Sequence, residues 1–157
     1  MIHNLYFAYG SNLELEQMRR RCPGSRLVGV ATLAGYELAF VGHSYSRSGA
    51  VATVRKTGVG ARVHGVLYEM TPADWRSLDR YEGYPEVYRR EVVRVLNRAG
   101  WHLDAVVYIR NNGDQGAPSP AYRRIVQGGY RAHGLPREFL DHALQTSLKG
   151  PPKRFLR

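Results

Sequence analysis

The sequence contains a single cysteine, Cys22, which excludes an internal disulfide and is typical of a protein kept in a reducing compartment. It has no apolar run near the ~18 residues that a membrane-spanning helix requires. Its first residues lack a charged segment followed by a long apolar one, so no signal peptide is expected. We therefore expect a cytoplasmic protein that does not insert into a membrane.

Several motifs of common catalytic sites are also missing. The six histidines show no metal-ligand spacing such as H-E-x-x-H, and neither a G-x-S-x-G elbow nor a Walker loop occurs. Zinc-dependent hydrolysis, serine hydrolysis and ATP use therefore have no support in the sequence. We expect no metal site.

Acidic residues are scarce: 13 Asp and Glu face 23 Lys and Arg, giving a net charge of +10. This charge could attract nucleic acid, maintain solubility or draw in acidic small molecules. The arginines are spread along the chain, however, and form neither a long basic stripe nor a zinc-finger or RNP-type signature. Nucleic acid is therefore not the expected partner, although a non-catalytic basic module that binds it stays open as an alternative.

The order of hydrophobic patterns predicts one domain over residues 1–148 of the α+β class, with a mixed sheet closed or partly closed into a small β-barrel and flanked by helices. A basic tail, residues 149–157, follows, and the sequence leaves its folding open. Strands are predicted over residues 4–9, 27–32, 36–41, 50–55, 62–70, 88–96 and 103–110. Helices are predicted over about 12–20, from a cap at 71 to about 82, and over 120–133 and 136–144.

The stretch YFAYGSNL begins as a strand and stops abruptly in Gly10-Ser11-Asn12. Ser11 with Glu14 three residues later has the spacing of a capping box at the start of a helix. The first N–H groups of a helix lack intrahelical partners and carry partial positive charge, so they suit a carboxylate, which Gly10 would allow to approach closely. A plain capped helix with no ligand is the commoner use of such a turn.

A second candidate is Glu82, in SLDRYEGYPEVY, at the end of the helix that Thr71 caps. A carboxylate there faces the negative end of the helix dipole, and neighbouring tyrosines would exclude water, so its pKa should be raised. Such a group is suited to moving protons near neutral pH. The alternative is a solvated glutamate beside Arg80 or Arg89.

Cys22 is a weaker candidate nucleophile. Three preceding arginines could lower the pKa of its thiol, but a lone cysteine is more often a small apolar filler.

Three segments together resemble the gamma-glutamylcyclotransferase family: YFAYGSNL, LDRYEGYPEVYRREV and APSPAYRRIVQGGYRAHGLPREF. The resemblance extends from Tyr6 to about Leu144. It implies a cofactor-free reaction, within glutathione metabolism, in which a gamma-glutamyl compound cyclises to 5-oxoproline and releases an amino acid or amine. By the same resemblance Glu82 is the catalytic acid–base. The residues implied to bind substrate are Tyr6, Phe7, Ala8, Tyr9, Gly10, Ser11, Asn12, Leu13, Tyr88, Tyr108 and Tyr122.

The resemblance leaves the leaving group undecided. The segments around Gly42–Gly49 and Tyr84-Pro85 depart from the family pattern, which puts the leaving-group preference in doubt. A cyclotransferase acting on gamma-glutamylamines, or one that removes a gamma-glutamyl protecting group during biosynthesis, remains an alternative. Whether the chain forms a homodimer is likewise open.

Overall fold

The elements found in the structure follow the predicted order closely. The computed structural model describes residues 3–150, so most of the tail predicted at residues 149–157 lies outside the described residues. The seven predicted strands are present, with ends displaced by no more than three residues. The strands are β1 Leu5–Ala8, β2 Arg26–Ala34, β3 Tyr36–Ser44, β4 Gly49–Lys56, β5 Arg62–Glu69, β6 Tyr88–Asn97 and β7 His102–Arg110. The helices are α1 Leu15–Arg21, α2 Pro72–Glu82, α3 Pro120–His133 and α4 Arg137–Ser147, and a 3-10 turn spans Ser11–Leu13.

Five strands close into a barrel in the order β1-β5-β2-β6-β7. Its neighbours pair antiparallel, except that β1 and β7 are parallel, with Tyr6 opposite Val106. This confirms the α+β class and the mixed, barrel-forming sheet. The remaining strands, β3 and β4, form a separate two-stranded antiparallel sheet, which the sequence pattern did not predict.

The 3-10 turn is fixed by close packing against α3. Leu13 is fully buried, and a Cβ atom added to Gly129 of α3 would lie 2.4 Å from the Cβ of Leu13. The Nε2 atom of His133 also lies 2.7 Å from the carbonyl oxygen of Leu13. Only glycine therefore lets α3 approach this closely, and the approach holds the turn in place.

Helix α2 begins and ends where the sequence predicts. The Thr71 hydroxyl accepts from the Asp74 N–H at 3.2 Å, and the Asp74 carboxylate accepts from the Thr71 N–H at 3.0 Å, which is a complete capping box. Gly83 ends the helix in the left-handed conformation, with φ of 63°. Glu82 is therefore the last residue of a helix whose two ends are both well defined.

Helix α2 is attached to the barrel through Asp79. Its carboxylate accepts from Nε of Arg90 at 2.8 Å and from the hydroxyl of Tyr108 at 2.7 Å. The guanidinium of Arg90 also lies over the ring of Trp75, 5.0 Å from its centre. A bidentate, partly buried pair of this kind fixes orientation as well as distance, and Asp79 lies one helical turn before Glu82.

Candidate active site

One cavity contains both parts of the predicted site. It has a volume of ≈ 240 Å³, and its walls include Glu82 from the end of α2 and Gly10, Ser11 and Asn12 from the turn after β1. The two features, separated by about seventy residues of sequence, therefore face the same hollow. The candidate anion-binding turn and the candidate proton-transfer carboxyl thus border one space, as two parts of a single site must.

The turn after β1 differs from the predicted helix start. Residues 11–13 form a 3-10 turn, Glu14 is extended with ψ of 112°, and α1 begins only at Leu15. The predicted Ser11–Glu14 capping box is wrong: neither cap position has a side-chain hydrogen bond, and the Ser11 hydroxyl instead accepts from Nε2 of Gln17 at 2.9 Å. Gln17 is buried, so its side-chain amide must form hydrogen bonds within the protein. This requirement outweighs the preference of Ser11 for capping a helix.

The turn nevertheless keeps backbone donors available. The N–H groups of Leu13 and Glu14 close it, donating to the carbonyls of Gly10 and Ser11 at 3.1 and 3.0 Å. Among the hydrogen bonds formed within residues 3–150, none uses the N–H of Ser11 or Asn12. These two groups remain free to bind a ligand.

Buried side chains hold this turn rigidly. Asn12, only 3% exposed, donates from Nδ2 to the Tyr6 hydroxyl at 2.9 Å and accepts at Oδ1 from Gln17 at 2.8 Å. Its carbonyl accepts from the Tyr68 hydroxyl at 2.9 Å. Because these polar groups are satisfied, the turn is preorganised.

Glu82 has the electrostatic character of a proton-transfer group. Burial of its carboxyl raises its pKa from 4.5 to about 7, against the opposing pull of Arg21, Arg47 and Arg110. The predicted direction of the shift is thus found, with desolvation as the main cause. None of the ion pairs formed within the described chain joins Glu82 to Arg80 or Arg89, so the solvated-pair alternative finds no support.

Four arginines line the cavity, and sequence reasoning missed all of them as site residues: Arg21, Arg47, Arg80 and Arg110. Arg21 reaches Oδ1 of Asn12 at 3.3 Å, and Arg47 donates to Oε1 of Gln17 at 2.6 Å. These two therefore border the turn. Glu82 is the one acidic residue among the cavity-lining residues of the described chain, so the cavity is strongly cationic.

The tyrosine hydroxyls at the cavity differ in whether their protons are free. Tyr9 donates to the carbonyl of Tyr108, and Tyr88 donates to the carbonyl of Ala52 at 3.0 Å. Tyr122 instead accepts, from the N–H of Ala52 at 3.0 Å. The Tyr6 hydroxyl likewise accepts from Asn12. The hydroxyl protons of Tyr6 and Tyr122 are thus available to a ligand.

Most of the predicted site residues come together at this cavity. Lining it are Tyr6, Tyr9, Gly10, Ser11, Asn12, Glu82, Tyr88, Tyr108 and Tyr122. Phe7, Ala8 and Leu13 are fully buried in the core and do not line it. Their side chains support the segment from within.

Cys22 lies away from this chemistry. It is fully buried, and burial together with Asp74 raises the pKa of its thiol to about 12, so the lowering that the preceding arginines suggested is wrong. Within residues 3–150, no three His, Cys, Asp or Glu side chains are grouped to hold a metal ion. In the same part of the chain, no helix combines the length and apolar character needed to cross a membrane.

Comparison with known proteins shows the family to which the chain belongs. The family described as gamma-glutamyl cyclotransferase, AIG2-like, matches residues 6–132. Proteins named gamma-glutamylcyclotransferase from Homo sapiens and Mus musculus are each 34% identical to this chain, over 87% of it and 75% of their own length. A solved structure named gamma-glutamyl cyclotransferase superposes with a TM-score of 0.82 at 30% identity, covering 98% of this chain and 91% of that one. The chain therefore belongs to the gamma-glutamyl cyclotransferase, AIG2-like family of enzymes.

Proposed function

We propose that this protein cyclises a gamma-glutamyl amino acid or amine, giving 5-oxoproline and the free amino acid or amine. The observation that carries the proposal is the shared cavity, in which a carboxyl with a pKa of about 7 faces a rigid turn with free N–H groups. The substrate is a free small molecule, and the reaction needs no metal or cofactor. The protein acts in the cytoplasm, which the single cysteine supports.

The turn after β1 would hold the alpha-carboxylate of the substrate. The N–H groups of Ser11 and Asn12 supply two donors, and the guanidinium groups of Arg21 and Arg47 add positive charge beside them. Gly10 leaves space for this approach, since a Cβ there would lie 3.1 Å from the Cβ of Ala52 and 3.5 Å from the Tyr122 hydroxyl. A preorganised anion site of this kind positions the substrate before reaction.

Glu82 would carry the proton. Its carboxylate removes a proton from the alpha-ammonium group, and the freed amine attacks the gamma-carbonyl carbon, forming the new C–N bond of the five-membered ring. The carboxyl then returns that proton to the nitrogen of the leaving group as the old C–N bond breaks. The ring nitrogen loses one further proton to become the neutral amide N–H of 5-oxoproline, and the released amine takes up a proton to become an ammonium group, so the protons balance. A pKa of about 7 suits both steps, since the group can accept and release a proton near neutral pH.

Two further features reduce the barrier. The nucleophile and electrophile belong to one molecule, so holding them in a reactive pose can be worth up to about 7–11 kcal/mol. The gamma-carbonyl oxygen gains negative charge in the transition state, and the free hydroxyl protons of Tyr6 and Tyr122 are suitable donors to it. Tyr122 is the preferred candidate, because its hydroxyl lies beside Gly10.

The test is direct turnover. The purified protein is incubated with a panel of gamma-glutamyl amino acids and gamma-glutamylamines, and 5-oxoproline is measured by mass spectrometry. We expect 5-oxoproline from at least one compound and its loss in the Glu82→Gln variant. Absence of product from the whole panel, together with salt-sensitive binding of DNA or RNA in a gel shift, would instead favour a nucleic-acid-binding module.

A further inference from the structure

Three of the four arginines at the cavity differ in their partners. Arg21 and Arg47 are linked to the turn after β1, through Asn12 and Gln17 respectively. Arg110 is not linked to that turn: its guanidinium lies 5.7 Å from the ring centre of Tyr88. The cavity thus has a second cationic group whose surroundings differ from those of the anion site at the turn.

The position of Arg110 is set by three strands. It ends β7, and its N–H donates to the Thr53 hydroxyl of β4 at 3.0 Å. Its guanidinium packs against Gly42 of β3, where an added Cβ would lie 2.8 Å from Nη2. The backbone of Gly42 has φ of +68°, so a glycine is favoured there for conformation as well as for space. The guanidinium is therefore held at the cavity wall.

Arg110 also has unused binding capacity. None of the ion pairs formed within residues 3–150 includes it. Its Nε atom is buried and, in the same part of the chain, has no hydrogen-bond partner. A buried donor without a partner is unfavourable, and a guanidinium is well shaped to bind a carboxylate through two parallel hydrogen bonds. An anion entering the cavity would pair with the positive charge of this guanidinium, since Arg110 lines the cavity wall.

We propose that Arg110 binds the carboxylate of the leaving amino acid and so makes the enzyme selective for gamma-glutamyl amino acids over gamma-glutamylamines. The inference rests on the proposed function, which assigns the alpha-carboxylate to the turn after β1. A gamma-glutamyl amino acid with an uncharged side chain carries a second carboxylate on its leaving group, whereas a simple gamma-glutamylamine carries none. Four arginines against one glutamate also disfavour a cationic leaving group in this cavity.

The test compares two substrates that differ only in this carboxylate: gamma-glutamylalanine and gamma-glutamylalaninamide. For the unmodified protein we expect kcat/KM to be at least about tenfold higher for the acid than for the amide. In Arg110→Gln this ratio should fall by about tenfold, whereas Arg110→Lys, which keeps the charge, should retain part of it. Comparing ratios between variants cancels the intrinsic difference in reactivity between the two substrates.

Arg94→Gln is the matched control, because it removes one positive charge from an exposed position on β6 that does not line the cavity. It should leave the ratio unchanged. An equal loss of kcat/KM for both substrates in Arg110→Gln would overturn the inference, since it would indicate a structural role or an effect on Glu82. A ratio near one in the unmodified protein would overturn it without any variant. If neither substrate yields 5-oxoproline, the proposed function itself fails, and this outcome is distinct from conversion of both at equal rates.

Discussion

Replacing Glu82 by glutamine should stabilise the fold at neutral pH while removing most of the activity. Burial raises the pKa of Glu82 from 4.5 to about 7, so the folded protein holds this proton more tightly than the unfolded chain does. The stability that Glu82 contributes is therefore fully present below pH 4.5 and is lost as the pH rises through about 7. At ~1.4 kcal/mol per pKa unit, this shift corresponds to about 3 kcal/mol as an upper value.

Glutamine has nearly the same shape and does not ionise, so the difference in unfolding free energy between Glu82→Gln and the unmodified protein isolates this effect. Urea unfolding of both proteins at about pH 5 and about pH 8 measures it. We expect the difference to grow in favour of the glutamine variant by up to about 3 kcal/mol over this interval. Turnover should fall by roughly 10²–10⁴-fold, the usual contribution of a general acid–base.

The control is Glu16→Gln, since the side chain of Glu16 is 81% exposed and the same chemical change there should leave the difference nearly constant with pH. If the stability difference for Glu82→Gln is also constant with pH, the carboxyl is not desolvated in the folded protein. If that variant keeps full turnover, Glu82 is not the acid–base group, whatever the stability measurements give.

The remaining predictions concern pH and the anion site. The kcat/KM for 5-oxoproline formation should rise with pH and reach half of its maximum near pH 7, because Glu82 must lose its proton to act as a base; a flat profile would contradict this. Gly10→Val should raise KM for the substrate by at least about tenfold. The valine side chain would crowd Ala52, because even a Cβ atom at position 10 would lie 3.1 Å from the Cβ of Ala52. An unchanged KM would argue against the turn as the site that binds the substrate carboxylate. Tyr122→Phe should lower kcat by roughly 10²-fold, because it removes the hydroxyl that would stabilise the oxyanion. An unchanged kcat would mean that another donor stabilises the oxyanion.

Helix α2 shows why part of the fold follows from sequence. Thr71, Pro72 and Asp74 begin it, and Gly83 ends it, through contacts within a few residues of one another. Because the residues that form these signals are close together in the chain, the sequence alone reveals them. The position of Glu82 at the helix end followed directly, and so did the direction of its pKa shift, although its main cause, desolvation, depends on the packed cavity.

The features of the site that the sequence did not predict depend on contacts between residues that are far apart in the chain. Arg21, Arg47 and Arg110 lie on α1, on the connection between β3 and β4, and on β7, and only folding brings them to one cavity. The true role of Ser11 likewise depends on the buried amide of Gln17, a tertiary demand that overrides the local capping pattern. The identity of the site residues carried by the family resemblance remains a prediction until variants are measured.

Closure of the barrel has a consequence for the order of events during synthesis. Strand β1, which leads into the ligand turn, has β5 on one side and β7 on the other, and Tyr6 lies opposite Val106. Strand β1 therefore cannot pair on both sides until β7 is made, because its second neighbour is synthesised about a hundred residues later. A nascent chain that stops before β7 has neither a closed barrel nor a complete cavity, so catalytic competence cannot precede the synthesis of β7.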